Sequence, residues 1–420
     1  MRPARAAADP TRLTGTNLLH TKQFNLRIVL ETIRRFGPLS RADVARRTAL
    51  TGQTVSNLVR ELLGLGLVIE AARRSEGRGA PPTDLAINPD GAFAVGLDFN
   101  RDHLTGVLVD LAGAVRQRIA HDVDFPTPAE TLDLMVEMAE ALIARQGAPR
   151  ERVRGVGIGV PGLMQPAPGG VGYVVAPTAF PGWHDVPLAT WLEQRLDLPV
   201  VLENNATAAA VGERWYGAGR QFDTFFYLFL GSGLGGGLIV NGRPYGGATG
   251  NAGEIAYLPP RLDADPVDGD HAGTRFYLPF LFERLRAAGT PARTAADLAP
   301  LLAAGHPTLL AWMDTAASYL TGLVLAVEYV LDPEAVVVGG RLPDAMLEAF
   351  CRRVTEALPA RRVRARSSAP QLVVATTGAD AAALGVATLP IHALFAPSPQ
   401  VLLKPNNRPA AAASRLAVGP

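Results

Sequence analysis

Apolar residues recur with helical spacing in three consecutive segments near the start of the chain. In each segment they fall three or four positions apart, which places them on one face of a helix. The pattern predicts a first helix over 22–36, a short second helix between Ser40 and Thr48, and a third between Thr51 and Gly64. The apolar positions of the three segments are Leu26, Val29, Leu30 and Ile33; Ala42, Val44 and Ala45; and Val55, Leu58, Val59, Leu62 and Leu63.

Polar residues and glycines indicate where these helices begin and end. Ser40 and Asp43 have the spacing of a capping box, while Gly64 and Gly66 end the third helix. The outer face of the third helix carries short or planar hydrogen-bonding side chains: Gln53, Thr54, Ser56, Asn57 and Arg60. Such side chains suit the reading of base edges in a major groove, so the order of elements favours a DNA-binding helix-turn-helix. The alternative is a generic helical hairpin inside a larger domain.

A β-hairpin is predicted next, with strands over 67–71 and 83–88, and it would form the wing of a winged helix. The connection between its strands contains Arg78 with a glycine on each side. An arginine at this tip can contact a phosphate or the minor groove, and it can equally be a loop arginine without a partner. The pattern leaves both interpretations open.

The charge distribution supports a DNA-binding head over residues 22–88. The whole chain of 420 residues has a net charge of only +1. Residues 1–80 hold 14 Lys and Arg against 6 Asp and Glu, a net charge of +8, which leaves −7 for the remainder. A merely solvated basic terminus explains this less well, because the arginines surround the helix pair. The candidate phosphate contacts are Arg41, Arg46, Arg47 and Arg78.

Beyond Pro89 the pattern changes to strands that alternate with helices, which is typical of an α/β fold. Hairpins with polar or glycine turns are predicted at 93–113 and 225–242, one at the start of each half, which suggests two lobes around a cleft. Further strands are predicted at 154–162, 199–205, 334–340 and from 371, with helices at 128–146, at 187–196 and within 274–331. The predicted organisation is a flexible arm (1–21), the head (22–88), a two-lobed body (89–395) and a disordered tail (396–420).

The composition excludes several classes of protein. The only cysteine is Cys351, so an internal disulfide framework and a multi-cysteine metal site are both excluded. No window offers the long charge-free apolar run that a membrane span needs, because the richest candidate, 320–340, is interrupted by Glu328 and by Asp332-Pro333. The N-terminus has arginines but no apolar signal core, so we expect a cytoplasmic protein.

Several motifs occur in an order that matches a known family. The head sequence TGTNLLHTKQFNLRIVLETI is followed by GPLSRADVARRTALTGQTVSNLVRELLGLGLV, and the body contains GVGIGVPG (155–162), FPGWHDVPL (180–188), LENNATAAAVGE (202–213), GSGLGGGLIVNG (231–242) and GNAGEIAY (250–257). With these motifs the chain resembles the ROK family of repressors and sugar kinases, and specifically its transcriptional regulators with an N-terminal winged helix. The resemblance extends from about Gly15 to Leu389. It implies an actin-like, two-lobed sugar-kinase fold with a sugar in the cleft.

One departure from the family pattern concerns the catalytic base. In the family's kinases an Asn-Asp pair occupies the positions of Asn204 and Asn205, and the aspartate takes the proton from the attacking sugar hydroxyl. Asn205 can hydrogen-bond a hydroxyl but cannot accept its proton near neutral pH. Losing such a base typically costs about 10² to 10⁴ in rate. We therefore expect no catalytic residue in this chain.

Other departures concern phosphate and zinc. The family's first phosphate turn reads Asp-x-Gly-Gly-Thr, whereas this chain has bulky and charged residues over 98–102. The second glycine turn, 231–237, survives, and it is either a remaining phosphate site or a tight hairpin. Tyr257 replaces the family's zinc-binding histidine, and 258–273 contains no cysteine. The four aspartates of that loop (Asp263, Asp265, Asp268 and Asp270) fit a solvated acidic loop better than a calcium loop.

What remains in the cleft fits a sugar. The resemblance implies that Asn204, Asn205 and Glu254 bond sugar hydroxyls. Trp183 can either stack on a sugar face or fill the core, and the core is favoured. The sequence therefore favours a cytoplasmic, sugar-responsive regulator, a repressor in the simplest case, that binds operator DNA and a sugar effector as a homodimer or homotetramer. It predicts no metal and no cofactor. The alternatives are an ATP-dependent sugar kinase with a regulatory DNA-binding head and a ligand-blind DNA-binding or scaffolding protein.

Overall fold

The computed structural model describes residues 18–71, 83–124, 126–167, 170–174, 182–183, 186–258, 276–363 and 369–397. The head consists of three helices and a two-stranded hairpin. They are α1 (Leu18–Phe36), α2 (Arg41–Thr48), α3 (Gly52–Gly64), β1 (Val68–Glu70) and β2 (Leu85–Ile87). The two strands pair antiparallel, as predicted. The predicted wing tip, with Arg78, lies outside the described residues.

Local sequence explains why the helix pair forms. Ser40 and Asp43 make both hydrogen bonds of a capping box at the start of α2, which confirms the prediction. Ala49, in the left-handed conformation, follows α2, and the Thr51 side chain caps α3. The apolar stripe of α3 packs inward on α1 and α2, with only Leu63 half-buried. One boundary is wrong: α1 begins at Leu18, so the helix starts four residues before the predicted position 22.

The first lobe contains a five-stranded mixed sheet in the order β5-β4-β3-β6-β9. The hairpin of β3 and β4 and the 128–146 helix form as predicted, and β3, β6 and β9 run parallel. The carboxyl ends of these three strands therefore meet at one edge of the sheet. The elements are β3 (Phe93–Phe99), β4 (His103–Asp110), β5 (Val115–Asp122), α4 (Pro128–Gln146), β6 (Val153–Val160), β7 (Leu163–Ala167), β8 (Gly170–Val174), α5 (Leu188–Leu196), β9 (Val200–Asn204) and α6 (Asn205–Tyr216).

The second lobe repeats the plan with a sheet in the order β12-β11-β10-β13-β14. As in the first lobe, an antiparallel hairpin opens the sheet and a parallel strand pairs with its first member. The elements are β10 (Phe225–Leu230), β11 (Leu234–Val240), β12 (Arg243–Pro244), α7 (Leu278–Ala287), α8 (Leu298–Ala303), α9 (Pro307–Leu331), β13 (Ala335–Gly340), α10 (Asp344–Arg361), β14 (Gln371–Val374) and α11 (Ala381–Phe395). The predicted two-lobed α/β body is confirmed.

Helix α9 is the one helix in the described residues that is long and apolar enough to cross a membrane by length and composition. It begins upstream of the window singled out from the sequence, ends at Leu331 just before Asp332-Pro333, and includes the charged Glu328. That carboxylate is fully buried and pairs with Arg362 at 2.9 Å. Half of the most apolar window of α9 is buried, and Leu309, Trp312 and Leu320 of this helix belong to the core of the second lobe. The helix therefore serves as a core element of this lobe.

The head and the body share one hydrophobic core. Leu30 and Ile33 of α1 lie in the same buried cluster as Val109 of β4 and Ile391 of α11. In addition, Arg27 Nη1 donates hydrogen bonds to the carbonyls of Ala393 (3.1 Å) and Ala396 (3.3 Å) at the end of α11. Cations at this end of a helix interact favourably with its unpaired carbonyls. The head is thus packed onto the body rather than tethered to it.

Candidate functional site

The outer face of α3 presents a connected strip of polar side chains. Gln53, Asn57 and Arg60 are exposed, at positions i, i+4 and i+7. Asn57 Oδ1 accepts hydrogen bonds from Gln53 Nε2 (3.4 Å) and Arg60 Nη1 (3.2 Å). Amide and guanidinium groups aligned in this way can donate to and accept from base edges.

The two smaller residues predicted on this face are less available. Thr54 and Ser56 are half-buried. The backbone N–H of Thr54 donates to Thr51 Oγ1 (3.2 Å), and the two hydroxyl oxygens lie 2.8 Å apart. Thr54 therefore helps to fix the start of α3.

The predicted phosphate contacts already have partners within the head. Arg46 is exposed and forms an ion pair with Asp43. Arg47 is also exposed, and its guanidinium carbon lies 4.5 Å from the centre of the Phe36 ring. Arg41 is half-buried and pairs with a carboxylate of β1, that of Glu70, at 3.1 Å. A phosphate would have to compete with a carboxylate for Arg41 and Arg46, whereas Arg47 keeps its charge uncompensated by these pairs.

In the body, the predicted cleft residues meet where α6 begins. The amide oxygen of Asn204 accepts hydrogen bonds from the backbone N–H groups of Ala206 (2.8 Å) and Thr207 (3.3 Å). Its Nδ2 donates to the Gly162 carbonyl (3.1 Å) and to Glu254 Oε1 (2.9 Å). Asn204 thus caps the helix and at the same time ties it to the loop that follows β12.

That loop is held by Asn251, a residue the sequence reasoning did not select. Its Oδ1 accepts from the backbone N–H of Met164 (2.6 Å), and its Nδ2 donates to the Met164 carbonyl (2.9 Å). Gly253 has a φ of +99° and packs on the backbone of Gly236, where a Cβ would lie 2.7 Å from the carbonyl oxygen. These anchors fix the position of Glu254 opposite Asn204.

Two carboxyl groups in the cleft have raised pKa values. Burial raises the pKa of Glu254 from 4.5 to about 7. Burial likewise raises the pKa of Glu203 to about 7, although a hydrogen bond from the Asn204 backbone N–H opposes the rise. Clusters of perturbed groups of this kind are frequent at functional sites.

Asn205, the first residue of α6, is buried next to a chain of carboxyl and imidazole groups. Asp98 Oδ2 lies 3.1 Å from His103 Nε2, and the other ring nitrogen lies 2.6 Å from Asp102 Oδ1. Burial alone would lower the pKa of His103, but its hydrogen bonds to Asp102 and Asp98 outweigh this and raise it. A Cβ on Gly159 would lie 3.1 Å from Asp98 Oδ1 and 3.7 Å from Asn205 Cα, so the missing side chain lets these residues approach.

The first turn, over residues 98–102, carries side chains that connect the lobes. Asn100 Oδ1 accepts a hydrogen bond from the Arg101 backbone N–H (2.8 Å). The Arg101 guanidinium carbon lies 4.5 Å from the centre of the ring of Tyr277, which precedes α7. Bulky groups therefore occupy the surroundings of the turn that would hold phosphate in a kinase.

The second glycine turn is a tight hairpin. The Gly231 N–H donates to the Gly233 carbonyl (2.9 Å), and the Ser232 carbonyl accepts from the Leu278 N–H (3.1 Å). The turn thus satisfies an N–H at the start of α7. This geometry agrees with the simpler of the two interpretations of the motif.

The far end of α6 contacts the head. The Arg34 guanidinium carbon lies 3.9 Å from the centre of the Trp215 ring, and its nitrogens pair with Glu31 at 2.7 and 2.8 Å. Trp215 also packs edge-on against His392 of α11, with ring centres 5.8 Å apart. Burial lowers the pKa of His392 to about 4, so the imidazole is uncharged near neutral pH and does not repel Arg34.

Other predicted residues fall outside the site or outside the described segments. Trp183 is buried, stacks on Phe99 at 4.7 Å and donates from Nε1 to the Pro126 carbonyl (3.0 Å), which confirms its place in the core. The acidic loop with Asp263, Asp265, Asp268 and Asp270 is not among the described residues. Within the described segments no group of three or more His, Cys, Asp or Glu could hold a metal ion.

Comparison with known proteins identifies both parts of the chain. Residues 94–270 match the ROK family, and residues 27–79 match the MarR family. The uncharacterized protein y4fQ of Sinorhizobium fredii is 29% identical over 372 residues, which cover 88% of this chain and 91% of that protein. The xylose repressor of Bacillus spizizenii is 30% identical over 237 residues, 56% of this chain and only 60% of the repressor.

A solved structure has a similar fold over most of the chain. It is the crystal structure of a ROK family transcriptional regulator, a homologue of the E. coli MLC protein, with a TM-score of 0.68 and 21% identity. The superposition covers 89% of this chain and 99% of that one. At this level of identity the likeness establishes the fold. The chain therefore combines a segment that matches the MarR family (27–79) with a body segment that matches the ROK family (94–270).

Proposed function

We propose that the chain is a sugar-responsive, DNA-binding transcriptional regulator, and specifically a repressor of carbohydrate uptake or catabolism genes. One observation carries the proposal: the exposed amide and guanidinium strip of α3 and the Asn204–Glu254 cleft are packed into a single body. The similarity to a protein named xylose repressor supports the same function. Action on DNA would place the protein in the cytoplasm.

In this proposal α3 enters the major groove. The residues that contact base edges are Gln53, Asn57 and Arg60. Thr54 and Ser56 are half-buried and contribute from the edge of this face. Arg47 contacts a phosphate directly, and Arg41 and Arg46 do so after exchange of their carboxylate partners. Arg78 would contact DNA from the wing. Because helix-turn-helix proteins commonly bind two half-sites, we propose a homodimer or a homotetramer as the active form.

The cleft would bind a sugar through Asn204, Asn205 and Glu254. Paired donors and acceptors of this kind suit neighbouring hydroxyl groups. The proposal excludes phosphoryl transfer, because the base position is an amide and Arg101 lies over Tyr277 beside the first turn. No cofactor is needed for this role.

Helix α6 provides a physical connection between the two functions. Its 12 residues extend about 18 Å from the cleft to Trp215, which contacts Arg34 of the head. A sugar that prefers one position of Asn204 and Asn205 would bias the position of the whole helix. The head would then follow through Trp215, and operator affinity would change by at most the free-energy preference of the sugar for that state.

A gel-shift titration tests the proposal. The probe is the DNA upstream of the chain's own gene, at moderate salt, with D-xylose, D-glucose or N-acetyl-D-glucosamine added in separate series. We expect specific binding that one of these sugars weakens. Binding no tighter than to scrambled DNA of equal length would contradict the DNA-binding role, and specific binding that no sugar alters would favour the ligand-blind alternative.

The kinase alternative is separated by an ADP-release assay over the same sugars. The fold of the body favours testing it, since ROK family domains include kinases. We expect no sugar-dependent turnover from the wild type, and none from Asn205→Asp, because the altered first turn remains. Sugar-dependent turnover by the wild type at an enzyme-like rate would contradict the regulator proposal and support the kinase alternative.

A further inference from the structure

A buried carboxylate oxygen near the start of α6 lacks a hydrogen-bond partner among the described residues. Asp98 is 1% exposed, and its Oδ1 has no hydrogen-bond partner among the described residues. A carboxylate oxygen buried without a donor is destabilising, so a native structure that keeps one has a reason to do so. The other oxygen, Oδ2, is already engaged by His103 at 3.1 Å.

The position of this oxygen places it at the cleft. Asp98 lies at the carboxyl end of β3, in register with Gly159 of β6, which in turn is in register with Glu203 of β9. A Cβ built on Gly159 would lie 3.1 Å from Asp98 Oδ1 and 3.7 Å from Asn205 Cα. Asp98 Oδ1 therefore lies within about 7 Å of the Asn205 backbone by simple geometry.

We propose that Asp98 is a further sugar-contacting residue, whose Oδ1 accepts a hydrogen bond from a hydroxyl group of the ligand beside Asn205. His103 acts as a positioning residue: Asp102 holds its Nδ1, and its Nε2 holds Asp98 Oδ2. The inference rests on the proposed function and specifies the ligand further. A carboxylate at this position attracts a neutral hydroxyl and repels an anion, so the ligand presents a neutral polyhydroxyl face to β3.

The proposal assigns a carboxylate acceptor to the part of the cleft where Asn205 offers only an amide. An amide at Asn205 offers both a donor and an acceptor, whereas a carboxylate only accepts. The chain thus keeps a carboxylate near the bound hydroxyl on β3 rather than on α6. Asp98 would accept a hydrogen bond from this hydroxyl group and would not remove its proton.

The test measures sugar binding by the full chain with isothermal titration calorimetry. D-xylose, D-glucose and N-acetyl-D-glucosamine are the probes, and Asp98→Asn is the main variant. The new amide keeps its oxygen on His103 and turns its NH₂ group towards the ligand, so a donor replaces the acceptor. We expect the affinity to fall about 10- to 100-fold, as for loss of a hydrogen bond to a charged group.

Asp110→Asn is the matched control. Asp110 is equally buried in the neighbouring strand β4, but it pairs with Arg116 (2.6 Å) and the Ala114 N–H (2.9 Å), away from the cleft. We expect this variant to lose stability and keep wild-type sugar affinity. His103→Gln should weaken binding less than Asp98→Asn, and it replaces that variant if the latter does not fold.

The outcomes separate the two proposals. Wild-type affinity in Asp98→Asn, or in His103→Gln where only that variant folds, would overturn the role of Asp98 and leave the regulator intact. Equal weakening in Asp110→Asn would also overturn it, because the effect would then be general destabilisation. Failure of the wild type to bind any of the three sugars would overturn sugar response itself, and this inference with it.

Discussion

The raised pKa of Glu254 predicts how stability should depend on pH. In the folded chain burial raises this pKa from 4.5 to about 7, so the folded state holds the proton more tightly than the unfolded state. The contribution of Glu254 to the free energy of unfolding therefore decreases as the pH rises from about 4.5 to 7, and it is constant above that range. Glu254→Gln removes the titration while keeping an oxygen that can accept from Asn204 Nδ2.

The size of the effect follows from the same values. The rise from 4.5 to about 7 corresponds to at most about 3 kcal/mol, at about 1.4 kcal/mol per pH unit. Because the side chain is partly exposed, we expect about 2 kcal/mol. For a chain of 420 residues this corresponds to a rise in Tm of about 2 °C for the variant.

Differential scanning fluorimetry of both proteins between pH 5 and 8 measures this difference. We expect Glu254→Gln to match the wild type at pH 5 and to melt about 2 °C higher at pH 8. Glu137→Gln, at an exposed position of α4, serves as the control and should run parallel to the wild type. A variant that melts lower than the wild type at pH 8 would refute the reasoning, because it would mean that the charged carboxylate is stabilised in the cleft.

Three further predictions concern the head, its connection to the cleft and the packing of α6. Arg60→Ala should weaken operator binding by about 1–3 kcal/mol in a fluorescence-anisotropy titration, whereas Arg150→Ala on the body should not; equal losses would exclude base reading by α3. Trp215→Leu should leave sugar affinity unchanged and abolish the effect of sugar on DNA binding, and retention of that effect would exclude the α6 connection. Gly385→Ala should destabilise severely, because its Cβ would lie 1.7 Å from the Ala208 carbonyl, while Gly322→Ala, in open space on α9, should be neutral or stabilising by about 1 kcal/mol in thermal melts.

Local sequence patterns predict much of this fold but few of its long-range contacts. The capping box of α2, the stripe of α3 and the bounds of α4 follow from residues within a few positions of one another. Motif order grouped Asn204 with Glu254, and the two side chains lie 2.9 Å apart in the structure. The pairing of Asn251 with Met164 joins residues 87 positions apart, and no local pattern encodes it.

The candidate site was incomplete for a related reason. Asp98 was considered only as part of the altered phosphate turn over 98–102, and His103 was not singled out. Their pairing depends on the antiparallel register of β3 and β4, which brings the two side chains together across the turn. An aspartate and a histidine five positions apart, on either side of the turn of a predicted hairpin, are the signal that could have revealed them.

The contact of Arg27 with the carbonyls of α11 has a consequence for the newly made protein. The two elements are separated by 366 positions, so the ribosome finishes the first long before the second exists. At a translation rate of about 5–20 residues per second, α11 is completed roughly 20–70 s after α1. The body-facing side of α1 stays exposed until then. During that interval the newly made head would expose apolar surface. It would reach its final packing only after the body had been translated.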